Sequence, residues 1–347
     1  MRKNKLWALI TLLIFITVIF AGCGQEKEQE QSEPEIIVLK MGTHYNTEHY
    51  ITKGYFEFEK EVEANSNGRI DVQIFHSSSI IKDDRQAVQL LSDNSVQIAH
   101  SECSMIGTVI NDKRWESLSI PYYFGTEPQV IYNILDNGKA FSMLSKDLEG
   151  KVKIKVIGTA NGGSASISNT KKSIESMEDF KGLKIRVPES KPYLEPIKLW
   201  GANPTPMNFG EIYTSLQQKA IDGVFTSKTA IVDFKFPELC KYHTNINPFL
   251  LIFTFGINTD FYNSLPSDMQ KIVLEASDNM IKTIREGAVE KEKSLDEALV
   301  QQGVKVVNLS PQFQSDLQKA VAPYVEERKA EIAEYIKIVD EDIKNLK

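Results

Sequence analysis

The sequence predicts an α/β fold of two lobes with a cleft between them. Strand and helix patterns alternate from Ile36 onward, and the alternation restarts after the glycine-rich stretch from Gly158 to Gly163. Ser267 to Gln302 then holds no proline and only one glycine, Gly287. Alternating strands and helices point to parallel sheets covered by helices. A single helix over that last stretch would run about 54 Å at 1.5 Å per residue. One lobe of this chain does not need such a length, so the helix is expected to span both.

In chain order, Ile36 to Met41 is a short apolar run that suits a buried strand. Ile51, Tyr55, Phe58 and Val62 recur at helical spacing, and Asn65-Ser-Asn-Gly68 ends that helix. Ile70, Val72 and Ile74 alternate, as on a half-buried strand. Asp83 to Leu91 reads as a helix, Val96 to Ala99 as a strand, and Val152, Ile154 and Val156 alternate again. The glycines at 158–163 suit a hinge. Beyond it come a strand at 183–187, helices at 193–200 and 210–218, and a strand at 221–225. The apolar run Phe249 to Ile257 is expected to return the chain to the first lobe. The lobes are thus expected at 36–160 plus about 250–290, and at 161–249 plus about 291–347.

Arg2, Lys3 and Lys5 precede an uncharged run from Leu6 to Gly22 that ends at Cys23. A basic start, an apolar run and small residues before the cut describe a secretory signal over 1–22. The cysteine after Ala21-Gly22 makes it a lipoprotein signal, with Cys23 as the acylated N-terminus. A retained anchor is the alternative, since the run approaches a membrane-spanning length. Acylation would tether the protein to the outer face of the cell membrane while its folded part stays in water. Residues 24–35, GQEKEQEQSEPE, contain no apolar anchor and are expected to act as a flexible acidic linker behind Cys23.

The formal charge is −7, and loss of Arg2, Lys3 and Lys5 with the leader leaves −10. An acidic surface argues against nucleic acid and anionic membranes as partners. Any bound acid must then be held by a local cation. Cys103 and Cys240, far apart in sequence, read as buried free thiols rather than a disulfide. The five histidines (His44, His49, His76, His100, His243) are scattered, and no metal-binding spacing occurs, so neither a metal nor a cofactor is expected. No nucleophile elbow, phosphate loop or dinucleotide fingerprint supports an enzyme. A tethered hydrolase is retained as the alternative from another class.

Gly182-Leu-Lys-Ile-Arg186-Val-Pro188 places one arginine at the end of an apolar strand, and Trp200-Gly-Ala-Asn-Pro-Thr-Pro-Met-Asn-Phe209 places an aromatic beyond a proline-fixed loop. A guanidinium matches a carboxylate with two parallel hydrogen bonds, and small-ligand sites combine apolar walls with a few placed polar groups. Together they suggest a pocket for a small organic acid.

These segments, with Tyr213, Leu216-Gln217 and Asp222-Gly223, resemble the DctP-type solute-binding proteins of TRAP transporters. Leu39-Lys-Met-Gly42, Ser66-Asn-Gly-Arg-Ile70, Asp83-Asp-Arg85 and Leu118-Ser-Ile-Pro-Tyr-Tyr-Phe124 precede them in the expected order, and Leu265-Pro-Ser-Asp-Met-Gln270 follows. The resemblance runs from Ile36 to the C-terminus. It implies a periplasmic-binding-protein-like fold whose cleft captures a small organic acid. It also implies delivery to a small and a large membrane subunit driven by a cation gradient rather than ATP. An extracytoplasmic sensor module using the same pocket is the rival reading.

The resemblance further implies roles for individual residues. Arg186 would clamp the carboxylate, unless it pairs with Asp179 or Glu189, and Glu189 is itself a candidate ligand residue. Phe209 would pack the carbon skeleton, or simply join the core. Glu102 would accept from solute hydroxyls, or be a solvated loop charge. His44, Thr226 and Tyr213 are further candidates, with Tyr122 and Phe124 at the mouth or in the core. Two departures stand out. Val224-Phe-Thr226-Ser227 replaces the usual Gln-Glu-Asn-Pro, and Ser164 to Asn169 lacks the second pocket arginine of many members. Unless Lys171, Lys172 or Lys228 reaches in, a hydroxylated or keto monocarboxylate such as a sugar acid is favoured over a dicarboxylate.

Overall fold

A computed structural model describes residues 36–346; the leader, Cys23 and the acidic linker lie outside the described residues. The chain begins β1 (Ile37–Gly42), α1 (Tyr50–Asn65), β2 (Ile70–Phe75), α2 (Asp84–Ser92) and β3 (Ile98–Glu102), in the order its periodicity predicts. A helical block follows that the sequence pattern leaves undivided: α3 (Cys103–Ile110), α4 (Pro128–Asn137) and α5 (Lys139–Val152). Then come β4 (Ile154–Asn169), β5 (Lys184–Val187), α6 (Lys191–Leu199), β6 (Asn203–Pro206), α7 (Ile212–Gln217), β7 (Gly223–Ser227), α8 (Lys228–Asp233) and β8 (Tyr242–Asn245). The chain closes with β9 (Leu250–Asn258), α9 (Thr259–Ser264), α10 (Ser267–Gln301), β10 (Lys305–Asn308), α11 (Pro311–Glu331) and α12 (Ala333–Leu346).

The fold is two-lobed α/β, but its sheets are mixed rather than parallel. In the first, β1 pairs in parallel with β2 and β3, and β9 runs antiparallel between β3 and β4. In the second, β5 pairs in parallel with β6 and β7, while β4 runs antiparallel to β7 and β8. The antiparallel pairs arise because β4 leaves the first sheet for the second and β9 runs back beside it. The glycines expected to serve as a hinge lie inside β4, at bulges between Val156 and Gly158 and between Asn161 and Ser164. Bulges bend and twist a strand without ending it, so one strand serves both sheets.

The long helix α10 runs 35 residues. Its Val273, Met280 and Ile284 pack with Tyr55, Phe58 and Val62 of α1. Farther along, Leu299 packs with Leu216 of α7 and Ile231 of α8. Its one glycine, Gly287, is explained by Tyr50: a Cβ there would lie 2.8 Å from the tyrosine Cβ. The stretch 291–347 does not stay together. Phe313, Leu317 and Val321 of α11 pack on Tyr193 and Ile197 of α6, whereas Tyr335 and Val339 of α12 pack on Leu135 of α4 and Leu144 of α5. Among the described residues, no helix is long and apolar enough to cross a membrane.

Candidate functional site

The carboxyl ends of β1, β3, β5 and β7 open onto one cleft, the usual ligand position in open α/β sheets. His44 and Tyr45 follow β1, Glu102 ends β3, Arg186 lies on β5, Thr226 lies on β7, and Phe209 follows β6. The space these residues line is about 640 Å³, including its open mouth.

Arg186 is buried, with 4% of its surface exposed. Its Nε and Nη2 donate to the Met207 carbonyl at 3.1 and 2.9 Å. Neither carboxylate proposed as its partner reaches it. Asp179 accepts from the Ser176 backbone in a capping box, and Glu189 accepts from Arg85 Nη2 at 3.2 Å. No ion pair among the described residues includes Arg186. Burial lowers its pKa to about 10, with Asp84 the strongest opposing influence. A guanidinium still charged at neutral pH, held dry and without an ion-pair partner among the described residues, has the chemistry to take an anion.

Phe209 stands beside it, half-buried. The guanidinium carbon lies 5.6 Å from the ring centroid, and His44 lies 5.6 Å from the same ring. His44 is buried, and burial followed by the Arg186 charge lowers its pKa to about 4, so it is neutral. Thr226 is buried and lines the same space. Sequence reasoning therefore brings together Arg186, Phe209, Thr226 and His44.

Three other expectations change. Glu102 is no solvated loop charge; it is buried and caps α3. Its Oε2 accepts from the Ser104 hydroxyl and from the backbone N–H groups of Ser104 and Met105, and its Oε1 accepts from Ser119 at 2.9 Å. Although it lines the cleft, its acceptors are committed to the helix start. Glu189 lies at the mouth, paired with Arg85 rather than Arg186. Tyr213 lines a neighbouring surface depression instead, where its hydroxyl donates to Glu238 at 2.5 Å. Of the aromatics at 122 and 124, Phe124 is buried in the core and Tyr122, partly buried, packs against it. Lys228 pairs with Glu292 and Asp296 at 3.3 and 2.8 Å, Lys171 pairs with Asp222, and Lys172 does not line the cleft.

Sequence reasoning missed Tyr45, Asp84, Arg85 and Tyr193, all of which line the cleft. Arg85 brings a second guanidinium to the cleft, from α2 rather than β4, but it is paired with Glu189. Asp84 opens α2, and burial, then Glu102 and Asp83, raise its carboxyl pKa to about 8. Scattered histidines also converge: His44 and His100 ring centroids are 5.7 Å apart.

The family model described as bacterial extracellular solute-binding protein, family 7 (DctP) matches residues 41–331. The sialic acid-binding periplasmic protein SiaP of Vibrio cholerae is 30% identical over 65% of this chain and 69% of its own length. The C4-dicarboxylate-binding periplasmic protein DctP of Rhodobacter capsulatus is 28% identical over 65% and 67%. Among solved structures, the sugar acid binding protein DctPAm from Advenella mimigardefordensis, in complex with galactonate, superposes with a TM-score of 0.84 at 24% identity, covering 91% of this chain and 100% of that one.

Proposed function

Because the chain belongs to the bacterial extracellular solute-binding protein family 7, whose members bind solutes rather than transform them, we propose that its cleft captures a small organic acid. The observation that carries this is Arg186, a buried cation whose only hydrogen-bond partner among the described residues is a backbone carbonyl. Its donors left free by Met207 take the carboxylate. Phe209 packs the carbon skeleton, and Thr226 and His44 orient the rest.

The relatives' ligands, sialic acid, C4-dicarboxylates and galactonate, all carry a carboxylate. A hydroxylated or keto monocarboxylate fits best, since Arg85 is already paired with Glu189 and leaves one unneutralised guanidinium among the lining residues. Two contacts hold the sides of the cleft together: Arg85 to Glu189, and Ser190 Oγ donating to Ser104 Oγ at 2.9 Å. Closing the site keeps water from the ion pair and strengthens it. The lobes divide at 36–160, about 250–290 and α12 on one side, with 161–249, the remainder of α10 and α11 on the other.

The leader and Cys23 support a lipid-anchored protein on the outer face of the cell membrane. There it hands its solute to the small and large membrane subunits of a TRAP transporter. Radiolabelled palmitate should be incorporated into the chain and lost in Cys23→Ser. A thermal-shift screen of small acids against neutral sugars tests the ligand class, because a ligand that binds only the native state raises the melting temperature. Shifts confined to sugar, keto and hydroxy acids are expected; a shift with neutral sugars alone would overturn the reading.

A further inference from the structure

Three side chains converge beside the cleft, and of them only His44 is also placed on the solute. His44 follows β1, Asp84 opens α2 and His100 lies in β3, yet one ligand atom from each falls within 4.8 Å of the others. The two histidines are 4% and 2% exposed. Each of the three residues also holds a buried polar atom without a hydrogen-bond partner among the described residues: Nδ1 of His44, Oδ1 of Asp84 and Nε2 of His100. Buried polar atoms are nearly always paired, so three unpaired ones from three separate elements point to something they share.

We propose that His44, Asp84 and His100 form a binding site for one divalent transition-metal ion. Two imidazoles and a carboxylate are a donor set suited to zinc and its neighbours, not to calcium or magnesium, which take oxygen cages. His100 is prepared for this role. Its Nδ1 is held by the hydroxyl of Tyr55 at 2.9 Å, and Tyr55 is fully buried. Such an outer partner fixes the ring and leaves Nε2 as the coordinating nitrogen. Three protein ligands leave a position for a solvent or solute oxygen. The ion would therefore sit beside the solute.

The test uses the full chain in mild detergent, titrated with Zn²⁺ alone and with no solute present, so its outcome is independent of the acid-binding reading. One Zn²⁺ per chain should bind, removable by a chelator. Affinity should fall by ~100-fold or more in H44A/H100A, and by about 10- to 100-fold in Tyr55→Phe, which removes only the outer partner. Cys23 and the remaining histidines are common to all these chains, so the differences report on this site. The parent chain with Co²⁺ needs no variant to fold; it should show visible d–d absorption of a low-coordinate site without a thiolate charge-transfer band. Absence of Zn²⁺ binding, equal binding by parent and H44A/H100A, or a thiolate band would overturn the proposal.

Discussion

The Arg186 guanidinium lies 5.6 Å from the centre of the Phe209 ring, and Phe209 in turn meets Phe234 edge-on at 4.6 Å. The ring shields the cation from water on one side, while Met207 fixes its plane on another. What remains open faces the cleft. Fixing the fork before the solute arrives removes an ordering cost from binding.

Glu102 separates a structural role from a ligand role. As the N-cap of α3 it should contribute about 1–2 kcal/mol of stability. Glu102→Ala is expected to lower the unfolding free energy by that amount and leave solute affinity unchanged. Isothermal titration beside chemical denaturation measures both. Weaker binding with undiminished stability would return Glu102 to the ligand.

The Arg85–Glu189 pair closes the mouth, with both side chains partly exposed. Exposed pairs contribute roughly 0.2–1 kcal/mol. Glu189→Gln should therefore speed solute release by a few-fold at most in stopped-flow kinetics, and raised salt should reproduce the effect in the parent. A release rate indifferent to both changes would mean that the pair does not hold the closed form.

Gly223 is packed against β4. An added Cβ would lie 2.5 Å from the Ser168 carbonyl oxygen and 2.7 Å from Asn169 Cβ. Backbone cannot yield as a side-chain tip does, so Gly223→Ala should cost about 1–3 kcal/mol by overpacking. Gly223 also faces Ile185 across β5, one residue from Arg186, so solute affinity should fall along with the urea midpoint. A variant as stable as the parent would show that the β4–β7 spacing is looser than described.

His243 lies well away from the cleft residues in sequence and is fully buried. Its Nδ1 is 2.8 Å from Ser168 Oγ and its Nε2 is 3.0 Å from Asn245 Oδ1. Burial lowers its pKa to about 4, against a weaker upward pull from Asn245. The unfolded chain therefore binds the proton more readily. The stability tied to this shift is present above pH ~6.5 and is lost as the pH falls through ~4, a total of ~3 kcal/mol. Melting temperatures measured from pH 7 to pH 4 should drop less steeply in His243→Gln than in the parent. Parallel curves would remove His243 from the account.

Much of this was readable before any coordinates. Strands such as Ile70–Phe75 show their alternation, α10 shows its length, and Arg186 is conspicuous as a charge set in an apolar strand. What escaped was short, polar or assembled only in space. The strand Tyr242–Asn245 carries no apolar alternation because it gains its register from β4 and β10. Glu102 could be read as a loop charge because the Cys103–Ile110 helix it caps is apolar on most sides and gives no clear period. Asp84, Arg85 and His100 come from α2 and β3, and only the sheet brings them to Arg186 or His44. That the glycines at 158–163 fall within one strand was not legible, because glycines read equally well as a loop and as bulges in a strand.

The central claim is that Arg186 holds the solute's carboxylate. Once the thermal screen has identified a bound acid, isothermal titration of that acid into the parent, Arg186→Lys and Arg186→Ala tests it most directly. Losing one partner of a buried charge pair costs roughly 2–5 kcal/mol, so Arg186→Ala should bind at least ~30-fold more weakly. Arg186→Lys should fall between, since lysine keeps the charge but not the planar fork. Circular dichroism confirms that each variant is folded. Unchanged affinity in a folded Arg186→Ala would contradict the account.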